Sequence, residues 1–196
     1  MLASASSIRS QLLANAGLLF QIDAAGIDEK ATLTRLRAGS SGPAVADLAK
    51  ALAGEKALHV SARHPGAVVI GADQMLDLDG EIVAKAATVE AARGVLMQLR
   101  GRAHKLHSGV ALANGGQVIW SDVQSATLQM RPFSDDWLLS YMAENAGALT
   151  ASVGAYQLEG PGVQLFECIE GDYFTILGLP LLPLLAALRR EGVITS

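Results

Sequence analysis

The stretch Ala67-Val68-Val69-Ile70-Gly71-Ala72-Asp73 constrains the fold more than any other part of the chain. Apolar residues around a single glycine read as a strand buried on both faces, predicted over 68–72. An unpaired carboxylate buried at its end costs on the order of several kcal/mol. Asp73 is therefore expected either at the mouth of a site or closing a turn. In open α/β sheets ligands gather at the carboxyl ends of strands, so the first of these makes Asp73 a candidate site residue.

Composition narrows what such a site can serve. Of 196 residues, 51% are hydrophobic and 17% charged, enough apolar material for one domain or two small lobes sharing a core. The net charge is −4 and no stripe of Lys and Arg stands out, which argues against a nucleic-acid partner. A small anion remains open, because a few local cations suffice for it. The single thiol, Cys168, fits a reducing compartment and reads as a buried small hydrophobe. Residues 1–7 lack the cationic region and apolar core of a secretory signal. The apolar run 176–188 is interrupted by Gly178, Pro180 and Pro183, too short and broken to span a bilayer. The expectation is a cytoplasmic protein with no membrane contact, and a chain this hydrophobic is expected to pair as a homodimer.

Periodicity and punctuation give an order of elements. Ser6 or Ser7 caps a helix to about Ala16, and 18–22 reads as a strand. A polar loop with a short helix covers 24–41, and a helix covers 44–58. Asp77-Leu78-Asp79-Gly80 signals a hairpin returning through 81–83, and Thr88 caps a helix over 89–99. Strands over 105–113 and 117–130 flank the turn Asn114-Gly115-Gly116. Ser134 caps a helix over 135–144, strands are predicted at 163–169 and 173–176, and a helix closes the chain over 181–190. Hairpins mixed with helices predict an α/β fold: a mixed twisted sheet with flanking helices. Any cleft between lobes would fall near 86–87 and near 128–132.

Several segments carry residues with chemistry. Ser4-Ala5-Ser6-Ser7-Ile8-Arg9 is either an anion cradle at a helix start, with Arg9 adding a guanidinium fork, or an ordinary Ser-capped helix. Asp28-Glu29 can hold Mg²⁺ or simply form a solvated turn. Lys56 ends a predicted helix, where a cation is expected on dipole grounds alone; Lys85 has no such explanation and can reach back toward Asp73. His104 and His107 lie three apart on a strand and so face opposite sides, which rejects a shared metal. The loop Gly154-Ala155-Tyr156-Gln157-Leu158-Glu159-Gly160-Pro161-Gly162 can approach a base or sugar closely, or merely turn.

Together these pieces resemble the Maf family of nucleoside triphosphate pyrophosphatases. The resemblance runs through Leu2-Ala3-Ser4-Ala5-Ser6-Ser7-Ile8-Arg9, Ile27-Asp28-Glu29, Leu52-Ala53-Gly54-Glu55-Lys56-Ala57 and Val69-Ile70-Gly71-Ala72-Asp73. It continues in Asp79-Gly80-Glu81-Ile82-Val83-Ala84-Lys85, Leu99-Arg100-Gly101-Arg102-Ala103-His104, the glycine-rich loop and Leu177-Gly178-Leu179-Pro180-Leu181. It implies one domain over 1–196, two lobes around a central cleft, and cleavage of a nucleoside triphosphate to monophosphate and pyrophosphate with Mg²⁺ or Mn²⁺. By the same likeness Asp73 is the catalytic acid, Glu29 stands with it on the metal side, and Ser6, Arg9, Lys56 and Lys85 hold phosphates. The usual Pro-Arg-Arg is here Ser7-Ile8-Arg9, Ala86 follows the hairpin lysine in place of Pro, and Ala151-Ser152 replaces an Asp-Lys pair. Gln74 and Glu159 resemble the subgroup acting on 7-methyl-GTP, and a carboxylate suits a positively charged methylated guanine. The alternative is a nucleotide-binding regulatory protein of cell division with little turnover.

Overall fold

Glycines at two sheet positions decide how the molecule is layered. In the structure, a computed structural model that describes residues 1–38 and 42–195, strand β1 (Val69–Leu78) pairs antiparallel with β3 (Ala103–Asn114). Helix α3 (Val45–Ser61) crosses the face carried by their odd-numbered residues. A Cβ added at Gly71 would lie 2.1 Å from the Ala53 carbonyl oxygen, and one at Gly109 would lie 2.4 Å from that of Ala49. The helix answers with Ala49, Ala53 and Ala57, a small stripe at spacing four. Backbone therefore packs on backbone, and Lys56 arrives over Asp73.

The sheet has five strands in the order β2-β1-β3-β4-β5, with β2 at Glu81–Val83, β4 at Gln117–Met130 and β5 at Phe166–Glu170. Every pairing between these strands is antiparallel. The parallel part of the expected mixed sheet is confined to two isolated bridges that Leu2 makes with Ile22 and Ile70. The second face of the sheet carries two apolar groups. Ile70, Ala72, Val110 and Leu112 pack with Leu12 and Leu13 of α1 (Ser7–Asn15) and with Leu184 and Leu188 of the last helix (Leu181–Arg190). Leu76, Leu106 and Leu128 pack with Leu96 and Leu99 of α4 (Val89–Leu99) and Leu138 of α5 (Asp135–Glu144).

Local chemistry explains the elements read correctly. Ser6, Thr88 and Ser134 each accept a backbone N–H at a helix start. Asp79 and Gly80 both take positive φ, 55° and 90°, as a two-residue hairpin loop between twisted strands requires.

Other expectations need correction. The strand predicted over 68–72 does not stop at Asp73; β1 runs on to Leu78, because both its faces are covered beyond that point. Residues 173–176 form a helical turn, not a strand: the Asp172 carboxylate accepts the Thr175 N–H at 2.8 Å. The strand predicted over 18–22 reduces to the bridge at Ile22, and Leu19 points fully into solvent. The strand predicted over 163–169 begins only at Phe166, after a 3₁₀ turn opened by Pro161. Within the loop read over 24–41, helix α2 occupies Glu29–Ala38 with Asp28 accepting the Ala31 N–H at 2.9 Å; residues 39–41 lie outside the described residues. Cys168 is exposed on β5, not buried, because its side of this edge strand has no layer over it.

Candidate functional site

Five stretches of chain, α3 among them, converge over β1 at Asp73. The N-terminal segment runs beside β1, with the Ala3 N–H on the Ile70 carbonyl at 2.8 Å. This delivers Ser4, Ser6 and Arg9 to one side of Asp73. The helix α3 brings Lys56 and the start of α2 brings Glu29. The loop 151–159 and the hairpin residue Lys85 complete a cleft of about 710 Å³. Ser6, Arg9, Glu29, Lys56, Asp73, Gln74, Lys85 and Glu159 all line it; Asp28, read from the sequence beside Glu29 as a Mg²⁺ candidate, does not. The cleft touches the predicted lobe boundary only through Lys85, next to Ala86; no residue of 128–132 lines it.

Lys56 is the centre of charge. Its Nζ lies 2.7 Å from Asp73 Oδ1 and 2.6 Å from Glu29 Oε1. Lys56 and Asp73 are 9% and 7% exposed, so this is a desolvated pair and not a surface contact. Because α3 continues to Ser61, Lys56 sits more than a turn from the helix end, and the dipole account of its position does not hold. Burial pushes the Asp73 carboxyl above its ordinary value, although Lys56 and Arg9 pull the other way.

Arg9 is held rigidly. Its Nε donates to the Gly178 carbonyl at 2.8 Å, and Nη1 donates to the Ser4 hydroxyl at 3.1 Å and the Ala72 carbonyl at 3.0 Å. Burial lowers its affinity for its proton, although Asp73 and Glu29 pull the other way. Among the described residues its Nη2 has no hydrogen-bond acceptor, which leaves donors for an incoming anion. Lys85 is exposed and makes no ion pair among the described residues. Ser6 is occupied as the cap of α1, accepting the Arg9 N–H at 3.4 Å.

Gln74 points away from the α3 face. Its Nε2 donates to the carbonyls of Thr175 (3.1 Å) and Ile176 (2.9 Å) and to the Ser108 hydroxyl (3.0 Å), leaving its carboxamide oxygen for the cleft. Glu159 is exposed on the loop. Sequence reasoning missed Ser108 as a partner of this framework, and named Ser4 and Gly178 only within motifs, without their contacts to Arg9. The pattern that could have placed the helix is the small stripe Ala49-Ala53-Ala57, which lies opposite Gly71 and Gly109.

The donor set fits a hard cation. Glu29 and Asp73 already converge on one positive centre, the Lys56 ammonium. Among the described residues no cluster of three or more ligating side chains exists. Mg²⁺ needs no such cage, since one or two carboxylates, waters and substrate phosphates satisfy it.

Fold and cleft together define an α/β protein whose fixed arginine, two lysines and two acids suit a small polyanion and its counter-cation. The chain belongs to the Maf family: the profile described as Maf-like protein matches residues 1–191. A nucleoside triphosphate pyrophosphatase of Caulobacter vibrioides is 52% identical over 194 residues, covering 99% of this chain and 96% of that protein. A 7-methyl-GTP pyrophosphatase of Brucella abortus is 50% identical, with the same coverage of 99% and 96%. Another protein with that name, from Rhizobium meliloti, is 47% identical over 196 residues, 100% of this chain and 98% of its own length. No helix among the described residues is long and apolar enough to cross a membrane.

Proposed function

We propose that this chain is a hydrolase that splits a nucleoside triphosphate into the monophosphate and pyrophosphate. The observation that carries this is the buried Asp73–Lys56–Glu29 arrangement with Arg9 fixed beside it. Asp73 orients a water toward the α-phosphorus and takes its proton; its raised affinity for a proton suits a general base. A bond forms from the water oxygen to the α-phosphorus as the bond to the bridging oxygen of the β-phosphate breaks. Arg9, Lys56 and Lys85 neutralise the β- and γ-phosphates and the departing pyrophosphate. Glu29 and Asp73 are the residues that would hold Mg²⁺ or Mn²⁺, which would neutralise charge on the phosphate oxygens.

The loop bearing Glu159 and the free oxygen of Gln74 receive the base. A carboxylate there favours a methylated, positively charged guanine, which supports 7-methyl-GTP as the preferred substrate. The names and identities of the Caulobacter and Brucella relatives support the same reaction. We take residues 1–196 as one domain with two lobes about the cleft, cytoplasmic and homodimeric, with no nucleic-acid or membrane partner. A panel of dTTP, UTP, GTP and 7-methyl-GTP with Mg²⁺ or Mn²⁺ tests the reading. Pyrophosphate release is expected, fastest from 7-methyl-GTP; no release from any triphosphate overturns it.

A further inference from the structure

His104 is a buried polar side chain that the reaction does not use. It lies near the start of β3, 2% exposed, on the face opposite α3. Its Nε2 is 2.7 Å from the Tyr156 hydroxyl, and its Nδ1 has no partner among the described residues. Such an unsatisfied buried atom is costly, and phenylalanine at both 104 and 156 would fill the space with no polar atom to satisfy. The polar ring therefore calls for an explanation other than packing.

Tyr156 supplies it. The ring is 3% exposed, meets Phe166 edge to face at 4.8 Å, and still contributes to the wall of the cleft. The backbone before it is held in an uncommon shape: Gly154 and Ala155 take φ of 79° and 59°. A Cβ at Gly154 would come within 2.4 Å of the Tyr156 ring, so the ring is folded back tightly over its own loop. The Ser152 hydroxyl donates to the Tyr156 carbonyl and closes this turn. Farther on, a Cβ at Gly162 would meet the Gln157 carbonyl oxygen at 2.4 Å, so the loop also closes on itself beyond Glu159. The segment is pinned at both ends, and among the described residues its one side-chain hydrogen bond to the sheet is that of the Tyr156 hydroxyl with His104.

We propose that His104 is a positioning residue: through the Tyr156 hydroxyl it sets the loop 152–159 at the height where it contacts the nucleoside half of the substrate. This rests on the reading of the cleft as a nucleoside triphosphate site. The phosphate half is held by Arg9, Lys56 and Lys85 on other elements and does not depend on the anchor.

Three variants test it with the substrate that wild-type protein hydrolyses best: His104→Phe, His104→Gln and the near-isosteric Tyr156→Phe. Wild-type turnover is measured first, so a failure of the functional reading shows there and is distinguishable. His104→Phe is expected to raise KM about tenfold, acting on KM more than on kcat, about the effect of one lost hydrogen bond and a loosened wall. The inhibition constant of the nucleoside monophosphate rises by a similar factor while that of pyrophosphate stays unchanged. Tyr156→Phe gives the same split, the double variant is no worse than either single one, and His104→Gln recovers part of the loss. If His104→Phe does not fold, the split in Tyr156→Phe decides alone. Equal weakening of monophosphate and pyrophosphate, unchanged constants for both, or additive effects overturn the proposal.

Discussion

Asp73→Asn is expected to lower kcat by about a thousandfold, the range a positioned general base supplies, without lowering the melting temperature. The stability half follows from burial. The folded protein holds the Asp73 proton more tightly than the unfolded chain does, because desolvation raises this carboxyl above its ordinary value of 3.8. The stabilisation from that proton is complete below 3.8 and is lost as pH rises through the raised value. At neutral pH the ionised carboxylate is thus unfavourable in the free protein, and Asn removes that cost. Lys56 is not left unpaired, since Glu29 remains 2.6 Å from its Nζ. The same shift places the acid limb of kcat/KM in wild-type protein above 3.8. Calorimetry beside a pyrophosphate-release assay checks both halves. A variant that turns over at wild-type rate sinks the role of Asp73, and one that is inactive only because it has unfolded sinks the burial account.

Gly71→Ala carries the second large effect. The new methyl would sit 2.1 Å from the Ala53 carbonyl and 2.7 Å from the Ala57 nitrogen, both backbone atoms of α3 that no rotamer change can move. The helix must retreat from the sheet. Overpacking against backbone is expected to cost about 3 kcal/mol, at the upper end of the usual range. For a chain of this length that is a melting temperature lower by roughly 10 °C. Lys56, next to Ala57, retreats with the helix and loses its 2.7 Å contact with Asp73. A displacement near 1 Å is worth about a hundredfold in rate. Gly94→Ala in α4 is the control: a Cβ there meets nothing within 4 Å, so stability should hold or rise by up to about 1 kcal/mol. Equal melting temperatures for Gly71→Ala and wild type would contradict the close approach.

What could be read from the chain beforehand was local. Ser6, Thr88 and Ser134 act within three residues of themselves, so their caps are visible in the sequence. Asp79-Gly80 carries its own turn. The failures occur where distant chain decides. Asp73 looked like the end of a strand because a carboxylate does not belong in a buried run; Lys56, seventeen positions earlier, makes it tolerable, and β1 continues. The exception is local: Tyr173-Phe174-Thr175-Ile176 is too short for periodicity to separate strand from helix, and the adjacent Asp172 cap decides it. Cys168 has the composition of a core residue but lies on an edge strand with nothing above it. The residues gathered in the cleft were singled out through resemblance of short motifs. Their framework was not, because Ser4, Gly178, Ser108 and Thr175 act through backbone and hydroxyl contacts that leave no pattern in sequence.

The central claim is that water activated at Asp73 attacks the α-phosphorus. Hydrolysis in water labelled with heavy oxygen, followed by mass spectrometry of both products, tests it most directly. The label is expected in the nucleoside monophosphate, with the pyrophosphate unlabelled. Label in the pyrophosphate, or release of orthophosphate in its place, would contradict the account.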